Sequence, residues 1–185
     1  MDIFATTMPV ILAKEGLGRL VDHPADRGGP TIWGITEARA RSAGYTGPMA
    51  SMMLDQALAI YRRYYWAEPH FDQIADIFPD LGKLLLDLGI NNGPITAGKF
   101  LQRSLNVLNI GPGPDLVVDG VCGSMSRASL VAFRSLRSTQ GGDALLLNLI
   151  RALAAVRYVE IAENDKSQRV FEFGWLANRA FGSSG

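Results

Sequence analysis

The stretch KEGLGRLVDHPADRGGPTIWGIT, residues 14–36, sets a glutamate behind an apolar segment and follows it with two aspartates, two threonines and a run of glycines. Upstream of it, Phe4, Met8, Ile11 and Glu15 fall at i, i+4, i+7 and i+11, the spacing of a single helical face. That pattern predicts a helix ending at Glu15, with Pro9 either kinking it or marking a late start near Thr7. Gly16, Gly18, Pro24, Gly28, Gly29 and Pro30 then break the helical period. TIWGIT reads as a short strand, with β-branched residues at Thr31, Ile32, Ile35 and Thr36.

Beyond this insertion the chain reads as helical. Thr36 can cap a helix over EARARSA, and Gly44 stops it. Ser51 can cap the next, with Leu54, Leu58, Tyr61 and Tyr65 as its apolar stripe, Arg62 and Arg63 on the wet side and Pro69 beyond its end. LGKLLLDLGINNG, from Leu81, is apolar almost all round and predicts a central, buried helix. A further helix is expected over AGKFLQRSLNVL, followed by a linker at NIGPGPD and a short extended piece at LVVDG. Another helix, starting at Ser124 or Ser126, runs through Leu136, and residues 143–163 carry the longest uninterrupted helical pattern. The fold class is mainly α, with a small β element near residues 18–36.

Composition narrows the function. Eighteen basic residues balance eighteen acidic ones, so no global positive field favours a phosphate backbone, and nucleic acid is not expected as a partner. The lone Cys122 excludes an internal disulfide, and with His23 and His70 as the only histidines no zinc or other metal site is expected. No apolar run reaches the roughly 20 residues of a membrane-spanning helix. IFATTMPVILA is short, lacks a basic leader and is interrupted by Pro9, so neither a signal peptide nor stable membrane insertion is expected.

Glu15 carries the sharpest chemical reading. It continues the apolar stripe and sits at a helix C-terminal end, where the dipole disfavours negative charge. Partial burial and that dipole both raise a carboxyl pKa, which suits a general acid. The competing reading is a surface glutamate on a fraying helix end. A glycosidic bond also needs a polar partner across it, and the turn-rich insertion could bring Asp22, Asp26, Thr31 or Thr36 back over the acid. Asp and Gly are equally ordinary turn residues, so each aspartate alone has a purely structural reading as well. Asp87 and Asn91 share a helical face at i, i+4, where a hydrogen-bonded structural role and a cleft-lining role are both open. Asn92 and Gln102 could bond the acetamido and hydroxyl groups of a glycan, and Trp33 could present a flat face to a sugar ring; core roles compete for each.

EG followed by DHPADRGGPTIWGIT resembles the N-terminal signature of the family 108 glycoside hydrolases, the N-acetylmuramidases of phage endolysins and bacterial secretion-associated lysozymes. That family's Glu-Gly-Gly-Tyr motif is matched only as Glu15 and Gly16, with Leu17 and Gly18 in place of Gly and Tyr. The order Glu15, Asp26, Thr31 also resembles the glutamate, aspartate and threonine series of phage lysozymes. YRRYYW, LLLDLGINNGPITAGKFLQRSLN, DGVCGSMSRASL and FEFGWLANRA resemble later motifs in the same order, the third being similar to the Asp-Gly-x-x-Gly-x-x-Thr pattern of a following peptidoglycan-binding module, with Ser126 for threonine.

The resemblance implies a lysozyme-like fold, with a muramidase catalytic region over residues 1–89 and a helical peptidoglycan-binding-like region over 90–185. It implies Glu15 as general acid and Asp26 and Thr31 as its catalytic partners; Asp22, Trp33, Thr36, Asn91, Asn92 and Gln102 are the substrate-binding residues expected from the reading of the residues themselves. The expected activity is cleavage of the β-1,4 bond between N-acetylmuramic acid and N-acetylglucosamine in peptidoglycan, as in a phage endolysin that lyses its host. No cofactor is implied, and peptidoglycan is the expected partner of a monomer made in the host cytoplasm and acting in the periplasm. A non-catalytic peptidoglycan-binding protein is the alternative. A helical phage structural or regulatory protein has only generic helix content in its favour.

Overall fold

The computed structural model describes residues 2–14, 18, 20–21, 30–109, 113–168, 173–174 and 176–177. The chain divides into two compact units, Met1–Glu68 and Pro69–Gly185.

In the first unit, helix α1 spans Ile3–Lys14. Asp2 starts it, its carboxylate accepting from the Ala5 amide at 3.1 Å, and so the helix does not wait for Thr7. Pro9 is carried inside the helix, about two turns beyond the capped start. Phe4, Met8, Ile11 and Leu12 are buried, which is the face the periodicity predicts up to the last described residue before Glu15. TIWGIT is not one strand but a hairpin, β1 (Thr31–Ile32) and β2 (Ile35–Thr36), antiparallel with Thr31 opposite Thr36 and Ile32 opposite Ile35. Ile32 and Ile35 enter the core as a cross-strand pair.

Thr36 caps α2 (Glu37–Ser42), its hydroxyl accepting from the Arg39 amide at 3.3 Å. Gly44, at φ +89°, ends the run as expected. Ser51 lies in a 3₁₀ turn, Met49–Ser51, rather than at a cap. α3 (Leu54–Tyr61) starts at Met53 instead, whose amide is satisfied by the Gln56 side chain at 2.9 Å. The helix then widens into a π-helical turn, Arg62–Ala67, marked by the Glu68 amide reaching back five residues to the Arg63 carbonyl. The buried face of this segment is Ala57, Ile60, Tyr61 and Trp66, while Leu54 stays 39% exposed. The predicted stripe through Tyr65 assumed a constant 3.6-residue period, which the π turn interrupts.

The second unit is helical: α4 (Phe71–Ile77), α5 (Pro79–Asn92), α6 (Pro94–Leu108), α7 (Ser124–Arg137) and α8 (Gly142–Asn164). α4 was not foreseen. It is seven residues long and is set off by His70 at φ +61°, yet Phe71, Ile74 and Ala75 give it a buried face. α5 is the central helix that composition predicted, with Leu81, Leu84, Leu85, Leu86 and Leu88 buried among α4, α6 and α8. The boundary expected at residues 89 and 90 lies inside this helix. Arg134 on α7 forks onto Asp143 at the start of α8, with Nη2 to Oδ2 at 2.8 Å, donates to the Ile77 carbonyl and stacks on Phe78. One guanidinium thus ties three helices together.

LVVDG is irregular rather than a strand, because its backbone is bonded by side chains of α6. The Asn106 amide donates to the Leu116 carbonyl at 2.9 Å and accepts from the Leu116 N–H at 2.8 Å. Gly98 of α6 meets the Gly120 backbone so closely that a Cβ there would lie 2.0 Å from the Gly120 carbonyl oxygen. Among the described residues no helix is long and apolar enough to cross a membrane.

Cys122 is fully buried beside this loop, and burial pushes its thiol up to about 12. A thiol so protonated and shielded is a poor nucleophile. Native protein should therefore resist iodoacetamide at mildly alkaline pH and be alkylated only after unfolding, as mass spectrometry with and without denaturant would reveal.

Candidate active site

Of the expected site residues, Glu15, Asp22 and Asp26 lie outside the described residues. Thr31, Trp33 and Thr36 are brought together on the first unit's hairpin. Asn91, Asn92 and Gln102 belong to the second unit.

The hairpin is built around a costly residue. Its two-residue turn, Trp33 and Gly34, has positive φ at both positions, +54° and +75°, as the tight hairpin turn matching strand twist demands. Glycine adopts that region freely, whereas a tryptophan there is strained by about 1–3 kcal/mol. Three contacts hold it. The indole Nε1–H donates to the Met52 carbonyl at 2.9 Å, and the Trp33 carbonyl accepts from the Tyr61 hydroxyl at 2.9 Å. Gly18, at φ +73°, lies against the ring, where a Cβ would sit 2.3 Å from Cη2. The hairpin gains a third rung as Thr31 and Val21 exchange both backbone bonds at 2.8 Å.

Trp33 also borders a groove of about 560 Å³ together with Phe4, Met8, Leu12, Leu58 and Arg62. The ring is neither wholly core nor wholly exposed, as a sugar-facing aromatic must be. Thr36 is different, since its hydroxyl is engaged as the cap of α2.

In the second unit the polar candidates are mostly engaged internally. The Asn91 amide donates to the Asp87 carbonyl one turn back at 2.7 Å. Asn92 donates to the Tyr158 hydroxyl at 2.9 Å, and its Oδ1 is buried without a partner among the described residues. Gln102 is 2% exposed, so its amide is not offered to a glycan. Its Nε2 donates to Asp119 Oδ1 at 2.8 Å and the Val121 carbonyl at 3.1 Å, with Ser126 Oγ at 3.4 Å, and its Oε1 accepts from the Gly120 amide at 2.7 Å. The Asp-Gly-x-x-Gly-x-x-Ser motif therefore folds onto one buried glutamine. Tyr61 and Asn106, which hold the two loops, were missed. Tyr61 stood out in sequence only as an apolar-stripe residue, and Asn106 is marked by its i, i+4 relation to Gln102.

The glycosyl hydrolase 108 family model matches residues 8–93, and the predicted peptidoglycan domain matches residues 96–180. The chain joins a glycosyl hydrolase 108 region to a peptidoglycan domain. It is accordingly a glycoside hydrolase with a lysozyme-like fold, directed to peptidoglycan. The glycosyl hydrolase 108 match contains Glu15, the whole turn-rich insertion and the hairpin, and the two matches meet at the short turn between α5 and α6. Among solved structures, that of Brucella abortus SagA is similar, with a TM-score of 0.63, 23% identity and 98% of each chain covered. No curated protein matches the sequence.

Gly18→Ala adds a Cβ where the Trp33 ring already lies and forces alanine to φ +73°, so it should lower stability by about 1–3 kcal/mol in a urea titration. Asp119 is held below the ordinary carboxylate range by the Gln102 amide and then by the Val121 N–H. Its contribution to stability is present above the unfolded pKa and is lost as pH falls through the folded one. Melting temperatures measured below about pH 4 should therefore fall less steeply for Asp119→Asn than for the wild type.

Proposed function

We propose that the glycosyl hydrolase 108 region is an N-acetylmuramidase that cleaves the β-1,4 bond between N-acetylmuramic acid and N-acetylglucosamine. Glu15 is the general acid: its carboxyl proton passes to the bridging oxygen as the bond from the sugar carbon breaks. Asp26 and Thr31 support attack by water on that carbon, and Asp22, Trp33 and Thr36 contact the glycan there, while Asn91 and Asn92 are kept as glycan-contacting residues of the second unit in their own right. Gln102 contributes indirectly, by shaping the loop that the peptidoglycan domain uses.

The observation that carries this reading is the strained hairpin itself. A tryptophan kept at positive φ by three separate contacts, on the element bearing Thr31 and inside the glycosyl hydrolase 108 match, is the sort of strain that functional sites retain. In this reading residues 1–89 form the catalytic region and 90–185 the wall-binding region of a monomeric, phage-type endolysin acting on the periplasmic wall.

Digestion of purified Gram-negative peptidoglycan, with mass analysis of the released sugar ends, tests the assignment. Wild type should release new reducing N-acetylmuramic acid ends. Glu15→Gln should lose turnover by roughly 10²-fold or more while still pelleting with the wall. Wall binding without release by the wild type would instead mark a protein that holds peptidoglycan without cutting it.

A further inference from the structure

The π-helical turn presents a surface that the hydrolytic site does not use. Arg63, Tyr64 and Tyr65 are consecutive residues of that turn, and Arg39 from α2 packs among them. The Arg39 guanidinium lies 5.0 Å from the Tyr64 ring centroid and 5.8 Å from that of Tyr65, while the Arg63 guanidinium lies 4.9 Å from the same Tyr64 ring. The Tyr64 hydroxyl donates to the Ser42 carbonyl at 3.0 Å, which anchors the ring that both cations approach.

The neighbouring arginines show what is unusual here. Arg41 is paired with Glu37, Arg62 with Asp2 and Arg63 with Glu68. Arg39 is half-buried, and among the described residues it has no carboxylate and no side-chain hydrogen bond. A guanidinium stacked on a ring keeps its N–H donors in its own plane, where they suit a carboxylate in bidentate geometry. Arg63, 63% exposed and engaged with Glu68 through Nε, adds a second cation at the same ring. π-helical segments are rare and are found disproportionately at functional sites, and this one sets three chemically useful side chains side by side.

We propose that Arg39, Arg63 and Tyr64 form an accessory site for the carboxylates of the peptide stems that peptidoglycan carries on its muramic acid residues. The site rests on the reading of peptidoglycan as substrate and adds to it a preference for stem-bearing over bare glycan. The pairing is chemically specific, with guanidinium planes for the carboxylates and a ring face for the adjoining apolar surface. A balanced overall charge of eighteen against eighteen argues against general adhesion to polyanions.

The test uses full-length protein in a Glu15→Gln background, so that the wall is not digested during binding. This protein and its Arg39→Gln, Arg63→Gln derivative are titrated against purified sacculi, against the same glycan stripped of stems by an amidase, and against phosphatidylglycerol vesicles. The derivative should bind stem-bearing glycan about tenfold more weakly, with no difference on stripped glycan. The stem peptides released by the amidase should also displace the arginine-intact protein from sacculi, a measurement that does not depend on the variant's folding. Equal binding of both proteins to sacculi, a difference that persists on stripped glycan, a difference confined to vesicles, or no displacement by free stems would each overturn the proposal. Failure of the hydrolase reading is scored separately, as the absence of reducing ends from wild-type digests.

Discussion

A tryptophan does not occupy left-handed backbone unless something holds it there, and the first unit is organised around what holds Trp33. The indole reaches the carbonyl of Met52, just ahead of α3, and the backbone of the turn receives the hydroxyl of Tyr61, at the end of the same helix. Gly18 closes the third side because no larger residue would fit. The hairpin has only two residues in each strand, too few to hold itself together in water, so its position is borrowed from α3. Thr31 inherits that position.

The second unit solves a comparable problem with different means. Its irregular segment after α6 has no strand to pair with, so the backbone groups that must be satisfied are met by two amide side chains one helical turn apart, Gln102 and Asn106. The Gly98 and Gly120 contact then brings the backbones close enough for those short side chains to reach. A buried glutamine using both ends of its amide is a demanding arrangement, and Asp119 and Ser126 complete it.

Much of the fold was legible because it is governed by local rules. The buried face of α1, the Thr36 cap and the all-round apolar character of α5 are statements about spacing and composition, and each reappears in the structure. What escaped reading were departures from regular period and tertiary satisfaction of polar groups. TIWGIT looked like a strand because four of its six residues are β-branched, and nothing local announces that Trp33 will take positive φ. The π turn hides behind an ordinary stripe of Leu and Tyr. Gln102 was read as a glycan ligand because helical spacing tells which residues share a face, but not whether an amide on that face meets solvent or the backbone of a later loop. The roles expected of Glu15, Asp22 and Asp26 rest on residue type and order alone, since these residues lie outside the described ones.

Cys122 carries a further implication. A fully buried thiol, raised far above neutral pH, is available neither for intermolecular disulfides nor for stepwise oxidation. The folded chain thus keeps Cys122 as a thiol whatever the redox potential around it.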